Sequence, residues 1–306
     1  MKNFLFRLFL FSIPVIIFLI GCEIFVRTMP SVYKNKRDQL IASADSIEIL
    51  IMGSSHAMDG VDPNQFSLYA FNLAFGSQSI YFDRKLIEKY RPVLPRLKYV
   101  LLNIDYNSLS YDHEEKRDFF YKYHFDLTYK NRKFFKENLL QSFFVYNHGN
   151  IIQLIFSKKS KSAGLVKGWF NNAGTNNEMV MSEERSKLRA NSFNYTVNTW
   201  KGGDSVIIEL EELIRFLLSE NITPILITYP NFSSIRYFLD ESVINRNRNV
   251  AESLSQKYQI PYLDYFDDDS FTVSDFFNSD HLNAAGAAKL SKMINTVIMN
   301  MENDKN

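Results

Sequence analysis

The chain has 306 residues, 46% hydrophobic and 15% aromatic, so it can bury a large core. Its 35 basic and 34 acidic side chains nearly cancel, which argues against a nucleic-acid partner. The single cysteine, Cys22, excludes an intrachain disulfide and a cysteine-based zinc site.

The N-terminus, MKNFLFRLFLFSIPVIIFLIGCEIFV, carries Lys2 and Arg7 ahead of a long apolar run. The run is about long enough to span a bilayer, and the early charges favour a cytoplasmic N-terminus with the body exported. Residues 1–28 therefore read as a signal anchor. Leu19-Ile20-Gly21-Cys22 resembles a bacterial lipobox, which leaves a lipoprotein anchored at Cys22 as an alternative, with a cleaved secretory peptide as the third. The apolar residues past Cys22 favour the retained anchor. A polar connector, expected to be helical, follows at 29–46.

The first strand is expected at 47–52, an apolar run rich in branched residues that stops at Gly53-Ser54-Ser55-His56. Runs of this kind belong to strands buried on both faces, and chemistry in such sheets collects at the carboxyl ends of strands. A second strand at 70–74 ends at Phe75-Gly76-Ser77, followed by a helix over 81–90 with Ser79 as its N-cap. The third strand covers 99–104.

From about 107 to 200 the pattern loosens. This stretch reads as an insertion of helices and loops, with helical spacing at 134–156 and no clear period at 164–177. Regularity returns with a helix at 205–220, a strand at 224–229, a helix at 244–258, a strand at 261–265 and a last helix from 284 to 299. Strands alternating with helices predict a three-layer α/β/α sandwich around a mainly parallel five-stranded sheet. One α/β domain would cover 47–300, with a frayed tail at 301–306.

A hydroxyl nucleophile needs a base within hydrogen-bond reach, and a developing oxyanion needs preorganised donors. Candidates for each lie at strand ends. Ser55 follows the first strand, Gly76 the second and Asn107 the third; His281, in Asn278-Ser279-Asp280-His281-Leu282-Asn283, follows the fifth. Ser54 reads as a turn hydroxyl. His56 is expected to point elsewhere on the turn, as a substrate or structural contact. His113, His124 and His148 read as surface or packing residues, and Asp267-Asp268-Asp269 as a solvated loop without the spacing of a calcium site.

With these blocks in order, the chain resembles the SGNH, or GDSL-like, hydrolase superfamily. The resemblance matches Ser55 to the nucleophile, His281 to the base, and the N–H groups of Ser55 and Gly76 to the oxyanion hole. Asn107 is the first choice for the oxyanion asparagine and Asn103 the second. Ser54 stands where the family has aspartate, and Asn278 stands where it has the acid. Asp280 or Asp275 could orient the imidazole instead, or a backbone carbonyl could complete a dyad. The Gly-Ser-Ser block is similar to membrane-anchored members that act beside membrane-bound acyltransferases. The resemblance thus implies an extracytoplasmic esterase or O-acyltransferase acting on acyl, first of all acetyl, esters of a cell-envelope polysaccharide. It implies no cofactor and no metal. The alternative is a catalytically inactive SGNH-like protein that binds a glycan or partners an acyltransferase.

Overall fold

The computed structural model describes residues 2–28, 31–110, 118–131, 164–170, 182–199 and 203–305. Its helices are α1 (Lys2–Thr28), α2 (Val32–Ala42), α3 (Ser55–Gly60), α4 (Ile80–Tyr90), α5 (Asp118–Phe125), α6 (Glu183–Thr199), α7 (Gly203–Ser219), α8 (Ser233–Arg236), α9 (Glu241–Tyr258) and α10 (Ala284–Asn303). Its strands are β1 (Ile49–Ile51), β2 (Ala70–Asn72), β3 (Tyr99–Asn103), β4 (Leu165–Val166), β5 (Trp169–Phe170), β6 (Thr223–Thr228) and β7 (Tyr262–Asp264). The expected helix over 134–156, with His113 and His148, lies outside the described residues. The chain forms two compact units, one of residues 1–35 and 115–163, the other of 36–114 and 164–306.

In the first unit, α1 holds a 19-residue apolar stretch, Asn3–Gly21, none of it buried. At 1.5 Å per residue it reaches about 28 Å, close to the hydrocarbon thickness of a bilayer. The same unit contains a small aromatic cluster. Tyr33 stacks on Phe120 at 4.5 Å between centroids and meets Tyr121 edge-on at 5.6 Å. His124, buried here, bonds Ser31 Oγ through Nε2 at 3.0 Å, in line with a packing role.

The second unit is α/β. Five strands pair in parallel in the order β2-β1-β3-β6-β7. β1 and β3 are buried on both faces, which is why each reads in sequence as an unbroken apolar run. Alternate residues serve opposite layers. Ile49, Ile51, Tyr99, Leu101, Ile225 and Ile227 pack in one core cluster with Leu290, Ile294 and Ile298 of α10. Those three α10 residues recur every fourth position and are wholly buried, each worth about 1.5–3 kcal/mol of burial. Leu50, Val100, Leu102 and Leu226 face the other way and are equally buried. On that side α7 packs against α4 and β6. The apolar side chains of α7, Val206, Leu210, Leu213, Ile214 and Leu217, form its buried stripe.

The insertion contributes two described elements to this unit. The β4–β5 hairpin, unforeseen in the aperiodic 164–177 stretch, lays its turn on β2: Asn72 N donates to Lys167 O at 2.9 Å. It thereby covers a sheet edge that would otherwise expose backbone donors and acceptors. The other insertion element, α6, packs Ala190 in a cluster with Ile235, Leu239, Val243 and Phe266.

The chain leaves β1 in one direction to form β2 and in the other to form β3. This strand order places a switch point between β1 and β3, where open parallel sheets bind their ligands beyond the carboxyl ends.

Candidate active site

At that switch point β1 runs into a turn at Gly53 with φ +120°. A Cβ at this position would sit 2.3 Å from Asn103 Cβ, so both the dihedral and the close approach of β3 require glycine. Ser54 then caps α3, its hydroxyl accepting His56 N–H at 3.4 Å. The same hydroxyl accepts Asn103 Nδ2–H at 2.8 Å and donates to Asp105 Oδ2 at 3.1 Å. Ser54 is thus fully engaged in structure.

Ser55, the first residue of α3, is aimed differently. Its Oγ lies 2.8 Å from His281 Nε2. His281 comes from the loop before α10, a helix capped by Asn283, whose side chain accepts the N–H groups of Ala285 and Gly286. The cap is therefore Asn283, which leaves Asp280 available to the imidazole. The Nδ1 of His281 bonds Asn278 Oδ1 at 3.2 Å and lies 3.2 Å from Asp280 Oδ2. Asp275 is occupied elsewhere: its carboxylate accepts Thr272 N–H in a capping box.

Asp280 is almost wholly buried and gathers positive charge. Arg189 of α6 donates to it through Nε, 3.1 Å from each carboxylate oxygen, and through Nη2 at 2.7 Å from Oδ2. His56 Nε2 lies 3.4 Å from the same oxygen. Burial alone would raise the Asp280 pKa, but the positive charge of His281 and His56 beside it outweighs burial and holds the carboxyl well below its usual range.

His56 does not turn away from the site, as sequence reasoning expects of a residue beside the nucleophile. Its Nδ1 pairs with Asp105 Oδ2, and its ring centroid lies 4.8 Å from that of His281. The cause is long-range: Asp105, two residues past β3, pulls the ring inward. Burial opposes charge on His56, yet Asp105 and Asp280 together push its pKa up to about 10.

A cleft of about 240 Å³ opens over Ser55, His56 and Asp105. Ser55, His56, Asn103, Asn107 and Arg189 line it, as do Ser77 and Gln78. Gly76, the expected oxyanion donor, sits in the turn just before Ser77, whose φ is +52°. Asn107 borders the cleft, and its Oδ1 is buried without a hydrogen-bond partner among the described residues. Asn103, the second-choice oxyanion asparagine, has its Nδ2 committed to Ser54.

His56, Asp280 and His281 bring potential ligand atoms within 4.8 Å of one another, a spacing a metal ion could use. Arg189 already occupies Asp280 Oδ2, and His56 already faces Asp105, so a further cation would meet charge that is already balanced. Asp267 and Asp269, read from sequence as solvated, pair at the surface with Arg248 and Arg236.

Two site residues had no role in the sequence reading. Asp105 is within reach of such reasoning, since it lies between Asn103 and Asn107, just past β3 at the same carboxyl edge of the sheet as Ser55. Arg189 carries no signal, because α6 has only a short apolar stripe, Ala190, Phe193 and Val197, and a charged residue beside it reads as solvated.

No protein-family model and no curated protein matches the chain. Among solved structures it is similar to a Bacteroides fragilis protein described as a "putative acylhydrolase". The match has 13% identity and a TM-score of 0.43, covering 86% of this chain and 94% of that one. The α/β class stands on the strand order itself, and the chemistry on the side chains at its switch point.

Proposed function

We propose that the chain is a membrane-anchored serine esterase or O-acyltransferase of SGNH type, acting outside the cytoplasmic membrane on acyl, first of all acetyl, esters of a cell-envelope glycan. The observation that carries this reading is the 2.8 Å contact between Ser55 Oγ and His281 Nε2. The exposed apolar stretch of α1, long enough to cross a bilayer, supports the anchor.

In this mechanism Ser55 Oγ attacks the acyl carbonyl carbon as His281 Nε2 takes the hydroxyl proton. The carbonyl oxygen becomes an oxyanion, held by the N–H groups of Ser55 and Gly76. Collapse breaks the ester C–O bond, and the proton on Nε2 passes to the leaving alcohol. A second hydroxyl, from water or from a glycan, then gives its proton to His281 as it attacks the acyl carbon; the bond from that carbon to Ser55 Oγ breaks, and Nε2 returns the proton to Ser55. Water makes the protein an esterase and a sugar hydroxyl makes it a transferase. Serine–histidine chemistry of this kind needs no cofactor.

Hydrolysis of p-nitrophenyl acetate by the full chain in detergent tests the reading. Ser55→Ala and His281→Ala are each expected to lower kcat at least ~1000-fold. Equal rates for all three proteins would remove the enzyme reading and leave an SGNH-like binding protein. Adding an oligosaccharide acceptor to the same assay separates hydrolysis from transfer by the product formed.

A further inference from the structure

We propose that the acid of this relay is divided between two residues: Asn278 aligns the imidazole of His281, and Asp280, braced by Arg189 and His56, supplies the negative charge. This rests on the Ser55–His281 reading above and gives particular residues to the part of the site that departs from the family pattern.

The alignment half follows from Asn278 Oδ1. That oxygen accepts the backbone N–H of Asp280 at 3.0 Å and of His281 at 2.8 Å, and the ring Nδ1–H at 3.2 Å. The two backbone donors identify the atom as the amide oxygen and fix it in place. An acceptor at Nδ1 puts the ring proton there and leaves Nε2 free to accept from Ser55. A neutral amide, however, cannot balance the imidazolium that forms when Ser55 is deprotonated.

Asp280 fills that gap. Its Oδ2 lies as close to Nδ1 as Asn278 does, 3.2 Å, but the ring N–H is directed at Asn278, so Asp280 meets the ring as a charge. A carboxylate this deeply buried stays in place only if partnered. Arg189 supplies the fork described above. His56 supplies a second brace, because it faces carboxylates at both nitrogens, Asp105 at Nδ1 and Asp280 at Nε2. Carboxylate charge on both sides favours the protonated ring, so His56 stands beside Asp280 as a cation. The other charged groups facing this cluster are Asp59 of α3, which interacts with His281, His56 and Asp280, and Lys36 of α2, which acts through Asp59. Asp280 acts on the imidazole of His281 by its charge, and Arg189 and His56 position Asp280.

The test uses the full chain in detergent, p-nitrophenyl acetate, and the variants N278A, D280N, R189Q, R189K and N278A/D280N. D280N is expected to lower kcat about 100- to 10,000-fold with KM within about twofold. N278A is expected to lower it about tenfold, and the double variant to lose less than the product of the two, since both act on one ring. R189Q is expected to lose about 10- to 100-fold and R189K to recover part of that. The decisive reading is the acid limb of the pH–rate profile. Removing the Asp280 charge moves it to lower pH, and removing the Arg189 charge moves it to higher pH. Simple loosening of the loop would move both the same way, and that result overturns the proposal. So would an inert D280N beside a dead N278A. Should D280N fail to fold, D280N/R189M removes both charges together and takes its place, expected to lose activity as D280N does; full activity in it overturns the proposal. If Ser55→Ala is as fast as wild type, the enzyme reading fails separately. The low-field proton on His281 Nδ1 then decides the division without turnover. Its loss in N278A and upfield shift in D280N support the proposal, and no change in either overturns it.

Discussion

Asp83 accepts the backbone N–H of Gly53 on its Oδ1 at 3.1 Å, tying the first turn of α4 to the turn that presents Ser55. Gln78 Nε2 donates to the same oxygen at 2.6 Å. Burial raises the Asp83 pKa more than these two donors lower it, leaving it at about 7. A carboxyl that is harder to ionise in the fold than in the unfolded chain stabilises the protein fully at low pH. That contribution declines as pH rises from about 4 and is gone once pH passes about 7. Asp83→Asn keeps an acceptor for Gly53 and removes the charge. Its unfolding free energy, read from denaturant curves, is expected to exceed that of wild type at pH 8, by up to about 4 kcal/mol, and to converge with it near pH 4. Parallel curves across that range would refute the buried-carboxyl account.

Lys36 gives the opposite slope. Its side chain is buried, donates to Ala74 O at 2.5 Å and lies 4.9 Å from the centroid of the Phe75 ring. Burial lowers its pKa to about 7, with Asp59 opposing the fall. Stability from this group is complete above about 10.5 and is lost as pH falls through 7, because the folded chain resists taking up the proton. Lys36→Met keeps the length without the charge. It is expected to be more stable than wild type at pH 6. At pH 9 that advantage shrinks, and the unpaired Ala74 carbonyl costs it about 1–3 kcal/mol. The check is urea denaturation of both proteins at the two pH values, read as a difference so that Asp83 and His56 cancel.

What could be read from sequence follows the length and burial of each element. β1 was legible because a strand covered on both faces is apolar throughout, and its stop at Gly53 marks a turn that only glycine can make. Ser55 and His281 could be paired because both lie just beyond carboxyl ends of strands in one sheet. The partners of His281 were harder. Asn278, at the position of the missing acid, keeps the orienting bond, while the charge has moved two residues along to Asp280. Nothing local announces Arg189, which is placed by packing of α6 on α8 and by the Ser186–Ser234 hydroxyl contact at 2.8 Å. The hairpin of β4 and β5 has two-residue strands, too short to display alternation.

That hairpin depends on Gly168. Its φ is +75°, and a Cβ there would lie 2.1 Å from Asn72 O, a backbone atom at the end of β2. Gly168→Ala must therefore lift the turn off the sheet edge and break the bond from Asn72 N to Lys167 O. A loss of about 2–4 kcal/mol is expected. Hydrogen exchange should report faster exchange at the Asn72 amide than in wild type, with the β3 amides little changed. Uniform acceleration across the sheet would mean the hairpin is not a local cover.

Gly53 offers the sharpest test of how the fold presents its serine. The substitution Gly53→Ala meets two obstacles, a φ of +120° and Asn103 Cβ at 2.3 Å, and the second atom is too close to the backbone to rotate away. β1 and β3 must then separate at the switch point, carrying Asn103 away from Ser54 Oγ and Ser55 away from His281. The expected result is a loss of about 2–4 kcal/mol in stability and of at least ~100-fold in kcat for p-nitrophenyl acetate. The two obstacles can be told apart. Adding Asn103→Gly removes the clashing Cβ but leaves the dihedral strain, so the double variant should regain part of the stability. It should regain little activity, because Ser54 then lacks the Asn103 donor that steadies the turn. Full recovery of kcat in the double variant would mean that Asn103 only fills space beside Gly53, and that the turn holds Ser55 in place without it.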